Sequence, residues 1–375
     1  MSRNILLVTE EWAGSGHWMA ACALEQVLRE RGGDARVEMI GGLHTASPLL
    51  KRLSRAAYLG SLRYVPEVWH RLYERDHLWS RAFKKPLGMV LGKRLLQNVI
   101  EQTAPEVVVA THAYCLAALA EAKKRAAKPF ALVGVCTDFH FHHFWFHPQI
   151  DAYVVANEQI AADAVRRFGV PAENVYPYGI PLRPPFAREN DRQKDEWRKQ
   201  VGLRPDRFTV LISGGEGGYG EIGPVVKRLL QMEKPLQIIV ATGKNAALLR
   251  ELAACLTGIA SPHTVHLLGY VQDMWAYIGA ADAWISKPGG LTCSEALAMR
   301  TPLILYRPLP GQERKNSQFL RTHQIAEEAR DVEEIVRLLA RWQHRQDERS
   351  ELASRMRPFA RPDAAYRTAD LILHL

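Results

Sequence analysis

Short apolar runs rich in Val and Ile occupy positions 4–9, 36–40, 107–111, 130–136 and 151–155, and again 208–213, 236–241, 265–268, 282–286 and 302–306. Stretches with helical spacing separate them. After the first run, Ala20, Ala21, Leu24, Val27 and Leu28 fall on one stripe of a 3.6-residue period. Strands that are apolar on both faces and alternate with helices predict βαβ units and parallel sheets. Two such series predict an α/β chain of two doubly wound, Rossmann-like domains.

Between the series lies Tyr178-Gly179-Ile180-Pro181-Leu182-Arg183-Pro184-Pro185-Phe186, followed by a charged, helix-like segment at 187–201. Proline fixes φ and biases the preceding residue away from helix, so this stretch predicts an extended connector. The domains expected are 1–180, 181–350 and a C-terminal helical segment, 351–375, packing back on the first. In that segment Pro358 and Pro362 precede a last helical run, 363–373, with Ala365, Ala369, Leu371 and Ile372 apolar.

A chain of 375 residues is long enough for two separate cores. No uninterrupted apolar stretch approaches the ~18–20 residues of a spanning helix. Residues 4–9 have only strand length, and Glu10-Glu11 stands where a leader would be cleaved. Five scattered cysteines without a CxxC pair fit neither a disulfide framework nor a zinc knuckle, and suit a reducing cytoplasm. The net charge of +9 is concentrated: residues 47–102 hold eleven Lys and Arg against four Asp and Glu, interleaved with residues such as Tyr58, Tyr64, Trp69, Tyr73, Trp79 and Phe83. Such a mixture suits an anionic bilayer surface, although a solvated helical pair with a buried stripe would also produce it. No nucleic-acid recognition motif accompanies it, so no nucleic-acid partner is expected.

The loops after the strands carry the chemistry. The first strand runs into Gly14-Ser15-Gly16-His17, where glycines at a strand-to-helix turn let backbone amides approach an anion and His17 faces the occupant. A tight turn with a solvated histidine is the plainer alternative. The strand ending at Ser213 runs into Gly214-Gly215-Glu216-Gly217-Gly218-Tyr219-Gly220, which a phosphate-bearing ligand explains economically. Glu216 puts a negative charge in that loop unless its side chain points away.

A third loop, Lys287-Pro288-Gly289-Gly290-Leu291-Thr292, puts free amides and a hydroxyl at a helix N-terminus, with Glu295 one turn on. Glu295 would accept from a ribose or simply complement the helix dipole. Gln312 and Glu313 are placed to read sugar hydroxyls. Asp138 is either an acidic catalytic group or a turn cap. His140, His142, His143 and His147 have metal-like spacing, but only Asp138 could complete a ligand set and aromatic residues surround them, so no metal is expected.

Five stretches in this order resemble one family: Gly14-Ser15-Gly16-His17; Val135-Cys136-Thr137-Asp138-Phe139-His140 with Trp145-Phe146-His147-Pro148; Gly179–Phe186; Lys287–Glu295; and Pro310-Gly311-Gln312-Glu313 with Asn316. The chain resembles the GT-B lipid glycosyltransferases comprising monogalactosyldiacylglycerol synthases and processive diacylglycerol glucosyltransferases, relatives of the peptidoglycan GlcNAc transferase. The resemblance implies two domains facing a central cleft and inverting transfer of a hexose from a UDP-sugar, UDP-glucose or UDP-galactose, to a lipid acceptor such as diacylglycerol.

It further implies His17 or Asp138 as base, and Gly14, Ser15, Gly16, His140, Trp145 and His147 on the acceptor side. For the donor it implies Gly214, Gly215, Gly217, Gly218, Gly289, Gly290, Leu291 and Thr292 near the diphosphate, Glu295 on the ribose, Tyr270 and Val271 on the uracil, and Gln312 and Glu313 on the sugar. No cofactor is expected, and the protein is expected in the cytoplasm, held peripherally at the membrane's cytoplasmic face. Rival readings are a polyprenyl or small-molecule acceptor, a UDP-sugar 2-epimerase and a non-catalytic nucleotide-sugar sensor.

Overall fold

The computed structural model describes residues 3–10, 15–47, 52, 60, 84–188, 192–258 and 261–375. Gly14 and most of the basic segment 47–102 lie outside the described residues. The chain forms two compact units, one of residues 1–184, 310–312 and 361–375, the other of residues 185–309 and 313–360.

Each unit contains a six-stranded parallel sheet with flanking helices. The first has the order β2-β1-β3-β4-β5-β6, with β1 Asn4–Thr9, β2 Arg36–Gly41, β3 Val107–Ala110, β4 Ala131–Val135, β5 Ala152–Val154 and β6 Val175–Tyr176. The second has the order β12-β11-β10-β7-β8-β9, with β7 Phe208–Ser213, β8 Leu236–Ala241, β9 Thr264–Leu268, β10 Ala283–Ser286, β11 Leu303–Tyr306 and β12 Glu327–Ala329. Ile5 and Leu7 pair with Val107 and Val109 on one face, Leu6 and Val8 with Val108 and Ala110 on the other, and all eight are buried, as a sheet covered on each side by helices requires. The predicted α/β class with two doubly wound sheets is what the structure has.

The strand order reverses beside β1 in the first sheet and beside β7 in the second. β1 lies between β2 and β3, and β7 between β10 and β8. In open α/β sheets the loops leaving the carboxyl ends of strands at such a point diverge and leave a crevice.

Three expectations need correction. The strands β6 and β12 were not anticipated; they are two and three residues long, and β12 (Glu-Glu-Ala) carries no apolar run. The connector is not extended throughout, because Pro184–Arg188 turns into a short helix; proline at a helix start lacks only an N–H that would be unpaired there. The charged helix after it is confined to Lys194–Gln200.

The last helix, Ala364–His374, belongs to the first unit. It inserts Ala365, Ala369 and Ile372 into a core with Ala23, Leu24, Val27 and Leu28 of the helix Ser15–Arg31. Gly179 has φ 100°, and a Cβ there would stand 2.4 Å from that of Arg361, so glycine lets the chain pass beneath the approach to this helix.

Candidate active site

At the reversal point of the first sheet, His17 lies in the first turn of the helix Ser15–Arg31. Its Nδ1 is 3.0 Å from the carbonyl oxygen of Thr111, just past β3, and 2.6 Å from the hydroxyl of Thr137, just past β4. A carbonyl can only accept, so Nδ1 carries the proton and Nε2 presents a lone pair. The Thr111 hydroxyl in turn lies 2.6 Å from that of Thr9 and 2.9 Å from the His17 carbonyl. The His17 ring meets the edge of His112 at 4.7 Å.

Burial lowers the His17 pKa from its ordinary value, while the charge of Asp138 and the bond to Thr111 oppose the shift. His112 is lowered further, by burial and then by His17. The result is a neutral, oriented imidazole at neutral pH, with Asp138 buried nearby. Thr111, His112 and Thr137 were not singled out in the sequence, although Thr111 and His112 are polar residues ending an apolar strand at the sheet's carboxyl edge.

The loop after Asp138 is held from two sides. The Tyr153 hydroxyl accepts from the His147 amide at 2.9 Å and donates toward the Trp145 carbonyl at 3.0 Å. The Lys84 ammonium donates to the carbonyls of His143, at 2.6 Å, and Phe146. Burial, followed by Lys84, brings the His147 pKa down to about 3, and its Nε2 lies 3.2 Å from the Phe144 carbonyl. Trp145 is 1% exposed. Trp145 and His147 thus face the protein interior and shape the loop, while His140 is half-buried, 5.3 Å from the His142 ring. Among the described residues no group of three or more His, Cys, Asp or Glu is arranged to hold a metal.

At the reversal point of the second sheet, Gly215 and Gly218 adopt φ of 71° and 58°. A Cβ on Gly218 would fall 2.2 Å from the Thr242 carbonyl oxygen, and one on Gly243 would fall 2.2 Å from that of Glu216. The glycine loop therefore lies backbone against backbone on the turn after β8, and the Lys244 amide donates to the Glu216 carbonyl at 2.7 Å. The Glu216 carboxylate pairs with the Lys244 ammonium, which also stands 5.4 Å from the centre of the Tyr270 ring.

The loop after β10 enters its helix, Gly290–Met299, through Gly289 in extended conformation with no side-chain cap. The first-turn amides of Gly290, Leu291 and Thr292 have no intrahelical acceptor. Asn316, fully buried, donates to the Pro288 carbonyl at 3.0 Å and so fixes this loop from the helix Gln312–Thr322. Glu313 accepts from Lys287 at 2.9 Å and from the Leu309 amide at 2.7 Å. The Lys287 ammonium also lies 5.6 Å from the centre of the Tyr219 ring.

Ser213 and Ser286 join the ends of β7 and β10 through their hydroxyls, and Trp284 donates to Ser213. The structure thus brings the two glycine loops of the second sheet to one edge, with Tyr270 beside Lys244 and with Lys287 and Glu313 paired. Glu295 and Val271 are half-buried, and Gln312 heads its helix.

Two doubly wound parallel sheets with their polar loops at the reversal points place the chain in the GT-B fold class. Residues 17–182 match the family Monogalactosyldiacylglycerol (MGDG) synthase, and residues 209–368 match the Glycosyltransferase family 28 C-terminal domain. The processive diacylglycerol beta-glucosyltransferase of Bacillus pumilus is 30% identical over 328 residues, covering 87% of this chain and 82% of the relative. That of Bacillus licheniformis is 29% identical over 340 residues, covering 89% and 85%.

Among solved structures, MurG of Acinetobacter baumannii superposes with a TM-score of 0.65 at 14% identity, covering all of both chains. The UDP-GlcNAc 2-epimerase of Neisseria meningitidis reaches 0.60 at 12% identity, covering 99% of this chain and 100% of that one. The chain belongs to the family of monogalactosyldiacylglycerol synthases and processive diacylglycerol beta-glucosyltransferases, as its motifs indicate, and is an enzyme that transfers a sugar.

Proposed function

We propose that this enzyme moves a hexose from a UDP-sugar to diacylglycerol with inversion at the anomeric carbon, working at the cytoplasmic face of a membrane. In this reading residues 1–180 take the lipid and residues 181–350 the nucleotide sugar, while of the C-terminal segment 351–375 the part from Arg361 onward completes the first unit. The observation that carries it is the 3.0 Å contact of His17 Nδ1 with the Thr111 carbonyl, from which the proton is assigned to Nδ1 and the lone pair to Nε2, ready for a hydroxyl.

His17 Nε2 removes the proton from the acceptor hydroxyl as that oxygen bonds to the anomeric carbon. The bond between that carbon and the β-phosphate oxygen breaks, and its electrons leave with UDP. Asp138 stabilises the imidazolium that forms; its charge already raises the proton affinity of His17. Charge on the departing diphosphate is met by the glycine-loop amides, by those of Gly290, Leu291 and Thr292, and by Lys287, a set that needs no cofactor.

Glu295 takes the ribose, the backbone at Tyr270 and Val271 the uracil, and Gln312 and Glu313 the sugar hydroxyls, with Glu313 positioned by its pairing with Lys287. Gly14, Ser15, Gly16 and His140 border the acceptor, and the loop braced through Trp145 and His147 carries Asp138 toward it. The basic aromatic segment 47–102 supplies contact with anionic lipid, in accord with the absence, among the described residues, of any helix long and apolar enough to cross a membrane.

The test is incubation with liposomes containing diacylglycerol and either UDP-glucose or UDP-galactose, with His17→Ala as control. Glycolipid and UDP are expected from the wild type with one donor, and neither from the variant. UDP release without glycolipid would overturn the acceptor assignment, and no reaction with either donor would favour a polyprenyl acceptor or a sensor.

A further inference from the structure

A carboxylate inside a diphosphate loop opposes the ligand the loop is built to hold, and Glu216 occupies that position between Gly215 and Gly217. It is not turned into bulk solvent. Its side chain is 21% exposed, and its carboxylate is paired with Lys244, whose own side chain is 61% exposed. The backbone fixes this proximity, because the Lys244 amide donates to the Glu216 carbonyl and the glycines at 218 and 243 admit no Cβ between the two loops.

Lys244 also stands over the Tyr270 ring, between the glycine loop and the expected uracil position. In a uridine nucleotide those two positions are joined through the α-phosphate. A lysine as exposed as Lys244 makes a weak ion pair and can transfer its ammonium to a phosphate, leaving Glu216 uncompensated beside the diphosphate.

We infer that Glu216 is a counter-charge to Lys244 that keeps the donor site from favouring the product UDP over the sugar nucleotide. The inference rests on the donor reading above. A sugar nucleotide carries two negative charges on its diphosphate, whereas free UDP gains about one more on the terminal phosphate, whose second pKa is near ~6. Both side chains act more strongly on the more highly charged ligand, Lys244 by attraction and the carboxylate it releases by repulsion, so Glu216 offsets the preference for UDP that Lys244 alone would give. Glu216 therefore speeds exchange of UDP for fresh donor at the cost of overall affinity.

The test is calorimetric titration of the full chain with uridine, UDP and UDP-glucose, without acceptor. Glu216→Gln is expected to tighten UDP about ten-fold, UDP-glucose about four-fold, and uridine by less than about two-fold. Lys244→Met is expected to weaken UDP about ten-fold, UDP-glucose about four-fold and uridine by less than about two-fold, and the double variant, which replaces a neutral pair by two neutral groups, to bind UDP close to wild type. Equal factors for UDP and UDP-glucose in Glu216→Gln would overturn the inference, as would uridine moving with them, which marks a disturbed fold. A wild type that binds neither nucleotide would overturn the donor reading itself.

Discussion

At the reversal point of the first sheet the polar groups are buried side chains, Thr9, Thr111, His112, Thr137 and Asp138 around His17. At that of the second they are main-chain amides flanked by two half-exposed tyrosines, Tyr219 and Tyr270. The same topology thus serves two chemistries. A group that takes a proton at neutral pH gains from burial, which keeps the imidazole neutral, and from a fixed tautomer, which aims its lone pair. A subsite for a multiply charged leaving group needs donors that cost little to desolvate and cations that can move, so it uses glycines and surface lysines. Each half can be broken without the other.

The largest effect is expected from His17→Ala. Loss of a general base lowers kcat by about 10²–10⁴-fold, whereas the affinity for UDP should stay within about two-fold of wild type. Calorimetry beside the glycolipid assay checks this. A parallel fall in UDP affinity would mean that His17 serves the donor and that the two halves are not chemically separate.

The converse break is Gly218→Ala. A side chain at φ 58° is strained, and its Cβ would meet the Thr242 carbonyl at 2.2 Å, so the glycine loop must part from the turn after β8. UDP affinity should fall at least about ten-fold and stability by about 2–4 kcal/mol. The pH dependence of residual turnover should remain that of wild type, since His17 is untouched. An altered profile would count against independence.

How much of this could be read beforehand divides along the same line. The buried strands announced themselves as apolar runs, and the glycine loops were visible because backbone requirements are written into consecutive residues. The partners of His17 were not, since Thr111 and Thr137 are 94 and 120 residues away and meet it only through the strand order. Glu216 looked like a defect in its loop until the turn after β8 supplied Lys244. Asn316 was legible as part of a motif, but its task of holding the Pro288 carbonyl follows only from the fold. Local conformation is inscribed locally, whereas electrostatic partnership depends on topology.

A smaller, sharper probe of the first half is Asp138→Asn. The Asp138 charge raises the His17 pKa against the stronger effect of burial. Without it the imidazole holds its proton less well, so the acid limb of kcat/KM, already below the ordinary histidine value, should move to still lower pH. The plateau rate should stay within about ten-fold of wild type, because His17 remains the base. If the plateau collapses with no shift of the limb, Asp138 is the base and His17 the group that orients the acceptor.

The smallest effect concerns stability. His147 is held near a pKa of about 3, chiefly by burial, and its unfolded value is the ordinary 6.5. Between these values the unfolded chain binds a proton that the folded chain refuses, so stability is full above about 6.5 and falls as the pH drops, by up to about 1.4 kcal/mol per pH unit. His147→Gln keeps the backbone bond to Tyr153 and cannot titrate. At pH 7 the variant should be equal to or slightly less stable than wild type, and by pH 4.5 it should have gained about 2–3 kcal/mol relative to it. Denaturant melts at the two pH values measure the change. The imidazoles lowered in the second unit, His263 and His266, lie in and beside β9, away from its glycine loops. A constant difference between wild type and variant across the pH range would show that the fold does not withhold a proton from His147.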